Sequence, residues 1–156
     1  MLKRIKKLLE KPEAVTASAG ADELRLAAAA LLVEAAHMDE DFDAEERGAA
    51  SRALEQRFDI SAAEADALLG DGEAAQADAT DLYQFARAIN DALAPEDRRQ
   101  IIEMLWEVVY ADGELHPYEA SLMRKLSGLL HVPDGDSARA RQKVLASIAA
   151  KNATTG

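Results

Sequence analysis

LLVEAAHMDEDFDAEERGAASRAL at residues 31–54 and MLWEVVYADGELHPYEASLMRKLS at residues 104–127 superpose without a gap at an offset of 73 positions. Leu32, Glu34, Asp39 and Glu46 fall on Leu105, Glu107, Asp112 and Glu119, Asp41 falls on Glu114, and Phe42 on Leu115. Self-similarity at a fixed offset signals one supersecondary unit used twice. Each unit reads as a helix, a short acidic corner and a second helix.

Outside the two units the chain also reads as helical. Alanine is abundant, β-branched residues are sparse, and no stretch alternates with period two for long. The patterning predicts helices over 2–10, 22–38, 44–57, 62–70, 79–93, 96–111, 117–130 and 136–151. The expected fold is therefore all-α, a bundle of about seven to eight helices built from two repeated helix–acidic corner–helix units. Ser61 with Glu64, and Asp43 with Glu46, have capping-box spacing. Pro95 and Pro117 suit a first helical position, where a missing N–H costs nothing; His116 would then cap the helix that Pro117 begins. Asp71-Gly72 and Asp112-Gly113 are turn dipeptides. Ile101, Ile102, Leu105, Val108 and Val109 share one helix face, as do Leu24, Ala28, Leu31, Leu32 and Ala35. Trp106, Phe58, Phe85, Tyr83 and Tyr110 are expected in the core.

Three segments follow. Residues 1–21 form a basic amphipathic tract (2–10) and a small-residue linker (12–21), residues 22–151 form the helical domain, and residues 152–156 form a frayed end. Residues 70–79 are expected to connect the two halves.

The net charge of −11 is unevenly spread. Lys3, Arg4, Lys6, Lys7 and Lys11 oppose only Glu10 in the first 11 residues, a local balance of +4 that leaves −15 for the other 145. Such a body repels phosphate backbones and argues against nucleic-acid binding. Cations and basic protein partners are its natural counterparts. The N-terminal tract can make weak contact with an anionic membrane surface, although packing on its own acidic body is the plainer reading. No apolar run reaches the length of a membrane span. The N-terminus lacks the apolar centre and cleavage site of a signal peptide. With no cysteine in the chain, the expected compartment is the cytoplasm.

Crowded carboxylates at the corners repel one another, and a hard divalent cation such as Ca²⁺ or Mg²⁺ would relieve that repulsion through oxygen ligands. The candidate metal ligands are Glu34, Asp39, Glu46, Glu107, Asp112 and Glu119. The same glutamates at 46 and 119 also suit capping boxes and the positive end of a helix dipole. Named metal templates do not fit. An EF-hand loop from Asp39 would have Ala44 where glycine is required and Ala50 where the bidentate glutamate belongs. Glu34 and His37 make one Glu-x-x-His pair, but the second unit has Glu107 and Tyr110. No phosphate-cradling loop or nucleophile elbow is present.

The stretch ADGELHPYEASLMRKLSGLLHV resembles the signature of TerB-like proteins, named for bacterial tellurite resistance; a similar domain precedes the J-domain in DjlA-type co-chaperones. The resemblance rests on Ala111, Asp112, Gly113 and Glu119, with Met38, Asp39, Glu40 and Glu46 as a variant lacking the glycine, and spans roughly residues 22–132. It implies an all-helical fold in two halves, acidic residues as candidate metal ligands, and a role in stress or tellurite resistance; it does not imply enzymatic activity, and a non-enzymatic protein is expected. Thiol-based tellurite detoxification is excluded by the lack of cysteine. Three readings stand open on the sequence: a partner-binding module regulated by a cation at the corners, a purely structural helical adaptor, and a carboxylate-based metal-dependent hydrolase. The oligomeric state is not encoded in any motif.

Overall fold

The computed structural model describes residues 12–36, 44–111 and 117–155, with side-chain surroundings given for 22–36, 44–111 and 118–151. The basic tract at 2–10, Asp39, Asp112, His37 and His116 lie outside these residues, as do the expected caps at Asp43 and His116.

Seven helices make up the described residues: α1 (Pro12–Ala36), α2 (Ala44–Phe58), α3 (Ala62–Asp78), α4 (Tyr83–Ala92), α5 (Pro95–Val109), α6 (Pro117–Leu129) and α7 (Asp134–Thr155). The all-α bundle is as the sequence predicts. None of these helices is long and apolar enough to cross a membrane.

Helix α1 is the centre of the bundle. Every residue from Ala27 to Val33 is at most 2% exposed, so the helix is enclosed on all sides rather than along the single stripe expected. Alanines make this possible, because a helix with methyl side chains on every face can be approached from every side. Helices α3, α4, α5 and α2 all pack on it. Helix α5 buries Ile101, Ile102, Leu105, Val108 and Val109 as expected, together with Met104 and Trp106.

Helix starts follow local chemistry. Ser61 Oγ accepts from the Glu64 backbone N–H at 3.1 Å, and Glu64 accepts from the Ser61 N–H at 3.2 Å, completing the capping box. Pro95 and Pro117 open α5 and α6. Two helices, α2 and α6, end in the Schellman pattern. His131 lies in the left-handed region at φ 56°, and the Val132 N–H reaches back to the Ser127 carbonyl at 2.9 Å. Asp59, at φ 52°, closes α2 in the same way through Ile60 and Glu55.

Three expectations are corrected. Residues 12–21 belong to α1 rather than to a linker; Pro12 occupies the first position, and small residues that lack a packing stripe still favour helix. Residues 70–78 continue α3. Asp71-Gly72 is not a turn, because Gly72 is where α3 crosses α1. Tyr83 is 62% exposed and outside the core, since it sits on the outer face of α4 opposite Phe85, Ala86 and Ile89.

Candidate functional site

Glu46 and Glu119 are each the third residue of the helix that follows a corner, α2 and α6 respectively. They are 7% and 4% exposed, the two buried carboxylates among the described residues. Burying a carboxylate is costly unless it is partnered, and both are engaged by a polar or electrostatic interaction.

The two carboxylates on the preceding helices have different surroundings. Glu34, half-buried on α1, accepts a hydrogen bond from Gln76 Nε2 at 2.6 Å and so ties α1 to α3. Glu107, half-buried on α5, faces a groove. Burial pushes its carboxyl above the usual range, Glu103 one turn earlier pushes it further, and Lys151, Lys143 and Arg52 pull it back. Among the described residues no three Asp, Glu or His side chains converge in a metal-binding cluster.

The groove arises where α2 and α7 both pack on α5. It encloses about 800 Å³. Ala44 and Glu45 from the start of α2 line it, as do Tyr110 and Ala111 from the end of α5. Ala44 directly follows the first corner and Ala111 directly precedes the second. Residues adjoining both corners in the chain therefore line one groove. A smaller hollow of about 270 Å³, reaching Arg57, Gln100 and Met104, shares Gln56, Glu103, Glu107 and Lys143 with it.

Charged side chains line the groove, and others pack beside it. Lys143 Nζ lies 3.3 Å from Glu103. The Arg141 guanidinium sits 5.5 Å from the Trp106 ring and 5.8 Å from that of Tyr110, and it donates to Tyr110 Oη at 2.6 Å. Trp106 Nε1 donates to Ser137 Oγ at 3.2 Å beneath this layer. The arrangement suits binding through charge and shape. His131, exposed at the end of α6, serves the helix terminus.

The family model described as Tellurite resistance protein TerB matches residues 25–142. The chain belongs to the TerB family. The match runs from α1 into α7 and takes in both corners and most of the groove. Lys143 and Lys151 lie beyond its end. No curated protein and no solved structure shows a significant match. TerB family membership makes this a module associated with tellurite resistance.

Sequence reasoning missed the groove and its cations. A signal was present: from Ser137 to Lys151 the chain carries Arg139, Arg141, Lys143 and Lys151 and no acidic residue, in a protein of net charge −11.

Proposed function

We propose that this TerB family chain is a non-enzymatic, cytoplasmic module that binds a protein partner and is regulated by a divalent cation, Ca²⁺ or Mg²⁺ by donor chemistry, at its two acidic corners. Asp39, Glu46, Asp112 and Glu119 are the primary ligands of this reading, with Glu34 and Glu107 adjoining. The observation that carries the reading is that Ala44 and Ala111, which adjoin the two corners in the chain, line a single groove, and that a buried glutamate stands early in the helix after each corner. Hard cations choose carboxylate oxygens, and a cation there would alter the charge at the mouth of the groove. Glu34 is the weakest member of the set, because Gln76 already holds it.

The competing reading, a structural adaptor without metal, is favoured by one specific feature. Glu46 and Glu119 occupy the third helical position, where a capping-box glutamate belongs. Thermal unfolding separates the two. Chelator-stripped protein is melted with Ca²⁺, Mg²⁺, Mn²⁺ or Zn²⁺ at constant ionic strength. A cation at 100 times its dissociation constant adds about 2.7 kcal/mol, a rise of roughly 5–11 °C at this chain length. A rise with one cation, abolished by Asp112→Asn, supports the regulated module. No rise with any cation leaves the glutamates as caps.

A further inference from the structure

We propose that the last two turns of α3 brace the first acidic corner, with Gln76 and Glu73 as positioning residues that hold the two helices flanking it at a fixed separation. The inference rests on the reading of that corner as the regulated segment, and its decisive test uses no cation.

The contacts reach both flanks. Glu34 lies two residues before the end of α1, and Arg47 is the fourth residue of α2; between them the chain passes through the corner. Gln76 Nε2 donates to Glu34 Oε2 at 2.6 Å. Arg47 Nη1 pairs with Glu73 Oε1, and its Nη2 lies 3.2 Å from Asp66 Oδ1. Glu73 and Gln76 stand three positions apart, neighbours on the surface of one helix. A single helix therefore ties down the chain on both sides of the corner.

Two features separate this from a pair of loose surface contacts. The first is the crossing beneath it. A Cβ on Gly72 would lie 2.7 Å from the Ala29 Cβ and 3.0 Å from the Ala30 nitrogen, so α3 seats on α1 almost backbone to backbone. Gln76 is four positions beyond Gly72 and Glu34 four beyond Ala30, so their hydrogen bond is made one turn from that seat. The second is the chemistry of the ties. A hydrogen bond to a carboxylate is stronger than one between neutral groups, and it fixes the direction of the carboxylate, as outer partners do for metal-ligating groups. Arg47 would hold little through one exposed pair, but its guanidinium spans two carboxylates seven positions apart on α3.

The repeat makes this brace specific to one corner. At the offset of 73, Arg47 falls on Ala120, whose methyl group can make no such tie. The two corners are therefore held differently, although their acidic residues correspond.

Hydrogen–deuterium exchange on the full chain, with chelator present, tests the brace. Gln76→Ala and Arg47→Met should each speed amide exchange across residues 36–47 by at least about tenfold, with circular dichroism unchanged. A tie that only adds to global stability would instead speed the slowest amides of α5, which report global opening, and leave residues 36–47 as they were. The reversed pair Glu34→Gln/Gln76→Glu rebuilds the hydrogen bond with donor and acceptor exchanged and should restore wild-type protection. Gln76→Glu alone sets two carboxylates against each other and should speed exchange. Unchanged exchange over 36–47 in either single variant, no rescue by the reversed pair, or a wild-type segment already exchanging at the unprotected rate would each overturn the brace. A cation-dependent rise in wild-type melting temperature alongside unchanged exchange in the variants sinks the brace alone. Rescued exchange without any such rise sinks the cation reading alone.

Discussion

The Cβ of Ala29 would lie 2.7 Å from a Cβ placed on Gly72, and the Ala29 carbonyl carbon 2.8 Å from it. No side chain fits between the two helices there, so α3 crosses α1 with backbone almost touching backbone. Two positions earlier, Gly70 faces open space. The pair makes an internal control. Gly70→Ala should stabilise the protein by up to about 1 kcal/mol through helix propensity alone. Gly72→Ala gains the same propensity but must push α1 and α3 apart, a net loss of about 1–3 kcal/mol. Urea unfolding monitored by circular dichroism measures both.

Ser137 holds a buried polar junction. It accepts from Trp106 Nε1 at 3.2 Å, and its Oγ lies 3.1 Å from that of Ser127. Ser137→Ala would leave a buried indole N–H with no acceptor on α7. The expected cost is about 1–3 kcal/mol, read by denaturant unfolding. Trp106 is the chain's single tryptophan, so its emission reports the change directly. Wild-type stability in Ser137→Ala would mean that the bond carries no net weight.

Glu107 makes the protein less stable as pH rises through the weakly acidic range. Its folded carboxyl titrates above the ordinary value because burial and then Glu103 disfavour the charge. Between the unfolded and folded values the native state therefore holds more protons than the unfolded one, so stability falls with increasing pH across that window. Glu107→Gln, melted with chelator present, should raise the midpoint at neutral pH. The gain should vanish below the ordinary carboxylate range, where both states are protonated. An equal effect at both pH values would assign it to packing rather than charge.

His131 adopts a left-handed conformation to end α6, at a cost of about 1–2 kcal/mol for a residue with a Cβ. His131→Gly should recover about 1 kcal/mol of that in equilibrium unfolding. The side chain is exposed, so little packing is lost. A destabilised variant would reveal a contact made by the imidazole.

Glu119→Gln separates a cap from a ligand. As a cap, the amide still reaches back to the helix terminus, and stability falls by about 1 kcal/mol or less. As a ligand, the same change removes the cation-dependent rise in melting temperature. Melting Glu119→Gln with and without cation distinguishes the two.

Local features were legible in the order of the amino acids. The Ser61–Glu64 capping box, the prolines opening α5 and α6, and the buried face from Ile101 to Val109 depend on residues within a turn or two of one another, and spacing alone exposes them. The acidic corners were legible as composition, and the buried glutamates at their ends as capping positions. The tertiary structure decided whatever depends on which helices touch. Glu34 meets Gln76 across 42 positions and Trp106 meets Ser137 across 31, and no periodicity links such distant residues. Gly72 resembles a turn residue until α1 is placed against it, because glycine serves equally in a bend and in a close helix crossing. The same holds for the groove. Arg52, Glu107 and Lys151 come from three helices, and only the packing of α2 and α7 on α5 brings them to one surface.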